Sequence, residues 1–107
     1  YTHEISAING AYEGGVYSPN QNRIYLVPQG QSDESQWHYI DCTTGSVVAY
    51  THLVTAASGA YDGGVYSPNE DRIYLVPFAQ SDKQPWHYID CATGAVVGYI
   101  HSATPVY

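Results

Sequence analysis

Charge is what this sequence has least of. Only 12% of its 107 residues are charged, against the quarter usual for a soluble domain, and the basic ones are Lys83, Arg23 and Arg72 alone. The formal net charge is −7 at pH 7. Such a surface repels phosphate backbones, which excludes nucleic acid as a partner. No apolar run approaches the roughly 20 residues a helix needs to cross a bilayer, so membrane insertion is not expected. Methionine is absent altogether. The sequence therefore reads as a processed product, an excerpt or a chain whose leader is missing, and its lack of a targeting segment says little about compartment. Scarce Lys beside abundant Tyr, Ser, Thr, Asn and Gly suits an extracellular or virion-surface setting.

What is present is a repeat. Residues 1–49 return as residues 50–98, with 33 of 49 positions identical and no gap. AYEGGVYSPNQNRIYLVP becomes AYDGGVYSPNEDRIYLVP, and WHYIDCTTGSVVAYTH becomes WHYIDCATGAVVGYIH. A period of this length is one supersecondary unit used twice, and such a unit buries its faces only against neighbours. The chain is 44% hydrophobic with 12 Tyr and 2 Trp, so it folds. A folded chain with so few charges implies that much of its surface is covered, most simply by more copies of itself.

Each repeat divides into four strand-like runs separated by turn signals. In the first repeat they are Gly14–Ser18, Arg23–Val27, Trp37–Cys42 and Ser46–His52; their counterparts begin at Gly63, Arg72, Trp86 and Ala95. Pro19-Asn20 opens a turn and Pro28 stops a ladder. β-Branched and aromatic residues with recurring Gly and Pro disfavour helix throughout. Ile24-Tyr25-Leu26-Val27 places large apolar groups on both faces of a strand, where a sheet with one wet face would alternate. Four-stranded sheets buried on both faces are the blades of a β-propeller, and about 49 residues is the size of one blade.

The stretch from Trp37 to Val48, WHYIDCTTGSVV, and its copy from Trp86 resemble the aromatic-x-IDxxTGxVV hairpin of propeller blades in the YVTN and PQQ-type repeat families. The GGVYSP…RIYLVP part is similar to tandem blades of uncharacterised phage, giant-virus and microbial repeat proteins. The resemblance covers nearly the whole chain and implies a fold: all-β, two four-stranded antiparallel blades, residues 1–49 and 50–98. It implies no activity. Two blades cannot form a PQQ site, and the ligand set that cofactor requires is not visible, so no cofactor is expected.

Propellers close with four to eight blades, so two blades leave an apolar face at each end, and patches of that kind mark interfaces. Three chains make six blades and four make eight. Tyr1-Thr2-His3 also matches Tyr50-Thr51-His52 and Tyr99-Ile100-His101, so residues 99–107 read as the start of a third repeat and a surplus edge strand. Lent around a ring, such a strand closes an oligomer; lent head-to-tail without closure, it builds a filament. Excision from a longer array explains the same ends. Tyr1, His3, Tyr99, His101 and Tyr107 are accordingly the candidate self-association residues.

Chemistry is harder to find. His3, His52 and His101 share one repeat position and His38 and His87 another, too far apart for the roughly 2 Å bonds of a zinc site. Near an interface, their titration would make assembly pH-sensitive. Asp41 and Asp90 precede Thr-Gly turns and serve to accept backbone N–H groups there. Asn20-Gln21-Asn22 and Asn69-Glu70-Asp71 lack the ligand count of a calcium loop, and Gly14-Gly15 lacks the helix start of a phosphate loop. Arg23 and Arg72 are expected to pair with carboxylates across repeats. Cys42 and Cys91 occupy one repeat position and read as buried free thiols, with a disulfide within or between chains as the alternative. No nucleophile–base constellation is present, so an enzyme is not expected. The best ligand-binding candidates are Trp37 and Trp86, then His38 and His87, with Asp33, Asp82, Gln31 and Gln80 upstream. An aromatic platform beside a polar loop suits carbohydrate; a Trp packed between repeats is the structural alternative. The expected function is a self-assembling structural protein, and the alternative is a multivalent lectin.

Overall fold

The computed structural model describes residues 2–3, 5–7 and 9–103. Eight strands follow the apolar, β-branched runs: β1 Tyr12–Ser18, β2 Arg23–Pro28, β3 Gln36–Asp41, β4 Ser46–Thr51, β5 Tyr61–Ser67, β6 Arg72–Pro77, β7 Trp86–Asp90 and β8 Ala95–Tyr99. They form two separate four-stranded antiparallel sheets, β1-β2-β3-β4 and β5-β6-β7-β8, in tandem. Among the described residues there is no helix.

The turns are built by the residues that punctuate the sequence. Asn22 and Asp71 adopt left-handed backbone (φ 54° and 55°), which short polar side chains tolerate. Their Oδ1 atoms accept the Tyr17 and Tyr66 hydroxyls at 2.8 Å, which ties each β1–β2 and β5–β6 turn to its strand. At the next hairpin Asp41 Oδ1 accepts the Thr43 N–H at 2.9 Å and Asp90 Oδ1 the Ala92 N–H at 3.0 Å, as the Thr-Gly pattern requires. Gly14 and Gly63 (φ 97° and 105°) sit where the register of the first ladder shifts in each sheet.

Alternation along the strands gives every sheet two apolar faces of different character. One, the aromatic face, carries Tyr25, Val27, Trp37, Tyr39 and Tyr50 in the first repeat. The other, the aliphatic face, carries Tyr61, Ile73, Leu75, His87 and Ile89 in the second. These two faces meet, with β1 lying against β5, and they form the core. Trp37 stands edge-on to Tyr61 (ring centroids 6.0 Å apart, planes at 82°). Burying each large side chain there contributes about 1.5–3 kcal/mol. The contact is also polar at one edge. Ser32 Oγ donates to Ala57 O at 2.6 Å and accepts the Ala60 N–H at 3.0 Å, while Gly59 N–H donates to Gln29 O at 2.9 Å.

The repeat boundary is shifted in phase from the sequence period. β4 runs to Thr51, and Tyr99 ends β8, where it pairs with Trp86 as Tyr50 pairs with Trp37. His52 stacks on Trp37 at 4.0 Å, and His101 on Trp86 at 3.8 Å. Of the surplus edge strand expected at 99–107, Tyr99 is the last residue of β8, and Ile100 to Ala103 lie outside any strand. The copy left without a sheet of its own is at the other end: Thr2 and His3 are exposed and lie outside any strand. Tyr1 and Tyr107 lie outside the described residues.

Candidate functional site

Most of the predicted binding residues are engaged in contacts within the chain. Trp37 is completely buried between Tyr61, Tyr50 and His52. Trp86 is half-buried; His101 lies parallel to its ring at 22°, and its Nε1–H donates to Gln80 O at 3.0 Å. The Trp37 indole therefore offers no open stacking surface. Gln31 and Gln80 are buried and staple their own loops, donating to Gln36 O and Pro85 O at 3.0 Å. Gln80 Oε1 also accepts the Ala57 N–H at 2.9 Å. Asp33 and Asp82 are exposed; Asp82 lies 3.4 Å from Lys83 Nζ.

His38 and His87 are buried, each beside a tyrosine hydroxyl: Tyr12 with His38 Nδ1 and Tyr61 with His87 Nδ1. Burial drives the His87 imidazole down to about 4, with nearby His52 adding to the shift, and burial lowers His38 and His52 as well. The same burial raises the Tyr12 and Tyr61 hydroxyls far above their ordinary value. His87 Nε2 is buried without a partner and borders a groove of about 540 Å³ between the 54–57 connector and the Gln80–Pro85 loop. Neither the tyrosines nor this groove was predicted. The signal for the pairing was the joint recurrence of Ala-Tyr and Trp-His in both repeats.

Two other expectations change. Among the described residues, Arg23 and Arg72 make no carboxylate pair across the repeats. Each donates to the tyrosine two residues on (Tyr25 at 3.3 Å, Tyr74 at 3.2 Å) and lies over a neighbouring ring, Tyr39 or Tyr88, because adjacent strands bring those rings beneath the guanidinium. The ion pair Arg72 does form, with Glu70 at 3.3 Å, stays within its own repeat. The cysteines are both free but not alike: Cys91 is buried and Cys42 exposed. Cys91 faces the first repeat, where burial raises its thiol above its ordinary value and nearby Ser18 acts in the opposite direction. Cys42 faces outward.

Among the described residues no group of three or more His, Cys, Asp or Glu is placed to hold a metal ion, and no helix is long and apolar enough to cross a membrane. The strongest asymmetry is in the sheet faces. The aliphatic face of the first repeat (Ile24, Leu26, Ile40, Cys42) and the aromatic face of the second (Tyr74, Val76, Trp86) are each less covered than their buried counterparts. No family model, curated protein or solved structure matches the chain.

Proposed function

We propose that this chain is a non-enzymatic structural protein whose sheets are β-propeller blades and which assembles with copies of itself through its sheet faces, outside the cell or on a virion. One observation carries the reading: at each end of the pair the outward sheet face is apolar and less covered than its counterpart inside, although the segment of His3, Ile5 and Ala7 borders the first of them. Val27 is 1% exposed, whereas its counterpart Val76 is 43% exposed. Leaving such faces in water forfeits about 25 cal/mol per Å² that association recovers. The scarcity of charge points the same way.

Native molar mass by light scattering, with electron micrographs of the same fractions, tests it. Masses of three or four chains, or filaments, are expected. A folded 11.7 kDa monomer at high concentration overturns it.

A second reading, carbohydrate binding, is favoured by the groove beside His87, whose polar lining of Gln80, Lys83 and Gln84 suits sugar hydroxyls. Glycan-array binding that disappears in a folded His87→Phe variant is its expected signature.

A further inference from the structure

The contact between the two repeats is a pattern for the contact between chains, an inference that rests on the self-assembly reading above. We propose that the aromatic face of the second repeat docks on the aliphatic face of the first repeat of another copy, in the register the two repeats already use within one chain. The occupant of each outward face is a second copy of this chain, which meets the first repeat's aliphatic face beside the segment of His3, Ile5 and Ala7.

Three observations define the register. The first is identity: Tyr74, Trp86, Tyr88 and Tyr99 repeat Tyr25, Trp37, Tyr39 and Tyr50, while Tyr12, Ile24, Leu26, Ile40 and Cys42 repeat Tyr61, Ile73, Leu75, Ile89 and Cys91. Both surfaces of a working interface are thus present again, one at each end. The second is a buried hydroxyl. Ser32 Oγ bonds across the repeats to Ala57 O and the Ala60 N–H. Its counterpart, Ser81 Oγ, is buried yet has no partner. A buried unpaired hydroxyl costs about 1–3 kcal/mol. In the proposed register the Ala11 N–H of the next copy, counterpart of Ala60, reaches it. The third is the cysteine pair. Cys91 is buried against Ser18, and the copy of that contact would place exposed Cys42 against Ser67 of the neighbour.

Because the two faces differ, the contact is heterologous: each chain uses one face to give and the other to receive. Repetition closes a ring if the rotation per chain divides a full turn and otherwise extends a filament. A face-to-face dimer would instead bring two aromatic faces together and leave both aliphatic faces without a partner sheet.

Val76→Lys and Cys42→Arg test this. Both positions are accessible in the single chain, so each variant folds, as circular dichroism will verify. Each alone is expected to be monomeric; mixed, they should form a one-to-one heterodimer and stop, because one intact face of each kind remains. Cys42 should react with a thiol probe about tenfold or more slowly in the wild-type assembly than in the Val76→Lys monomer. Wild-type assembly that persists in both variants overturns the register while leaving self-assembly standing. A Cys42→Arg variant that still dimerises alone shows a face-to-face contact and also overturns it. A monomeric wild type overturns self-assembly itself.

Discussion

His87 shows how a residue type that invites a metal or catalytic reading serves packing. It lies buried with Nδ1 against the Tyr61 hydroxyl, and burial holds its imidazole at about 4, below the 6.5 of the unfolded chain. The folded state therefore binds the proton less readily than the unfolded one. Stability contributed by neutral His87 is complete above about 6.5 and is lost as the pH falls towards about 4, with no further loss from this group below that. Urea titrations at pH 7 and pH 4.5 should show the midpoint falling, and His87→Phe should flatten that part of the profile. The groups facing His87 are the Tyr61 hydroxyl, His52 and, across the groove, Lys83. Its counterpart His38 shifts the same way, so protonation acts on both repeats.

At the level of elements, two hairpins of the same sequence sit in different surroundings. Trp37 on β3 is buried under the second sheet, and Trp86 on β7 is covered by its own repeat and by His101. Trp37→Ala should lower the stability of the single chain by about 3–5 kcal/mol, most of what a small domain possesses. Trp86→Ala should cost clearly less in the single chain and weaken assembly instead. Denaturant unfolding in the monomeric Val76→Lys background separates the two. The strands themselves were legible in the sequence: β-branched and aromatic runs, Pro stops and Thr-Gly turns located all eight, with ends displaced by a residue or two. β1 and β5 begin two residues earlier than the Gly pairs suggested, because a left-handed Gly at the register shift lets the strand continue through it. The tryptophans looked equivalent as candidate ligand platforms, since nothing in a repeated sequence tells which copy is inside.

For the whole molecule, the net charge of −7 opposes association of copies whose contact faces are apolar. Raising ionic strength from about 0.01 M to about 0.1 M shortens the screening length from roughly 30 Å to roughly 10 Å. Assembly should therefore strengthen with salt, seen as a fall in the concentration at which light scattering detects multimers. An interface held by ion pairs would weaken instead. Among the described residues the ion pairs, Arg72–Glu70 and Lys83–Asp82, lie within the second repeat, in keeping with an apolar contact.

The sequence by itself determined the unit: its length, its four strands, its turns, and the presence of apolar groups on both sides of each sheet. These follow from local backbone preference and side-chain alternation, which neighbouring residues decide. Only the tertiary structure decided which faces are spent and which remain. Identical stretches give Tyr25 and Tyr74, Ser32 and Ser81, Cys91 and Cys42 opposite fates, because burial depends on whether another sheet lies across the face. The same limit hid the roles of Tyr99, which ends β8 opposite Trp86, and of His101, which stacks on that Trp86, long-range contacts that a match to Tyr1 to His3 cannot reveal.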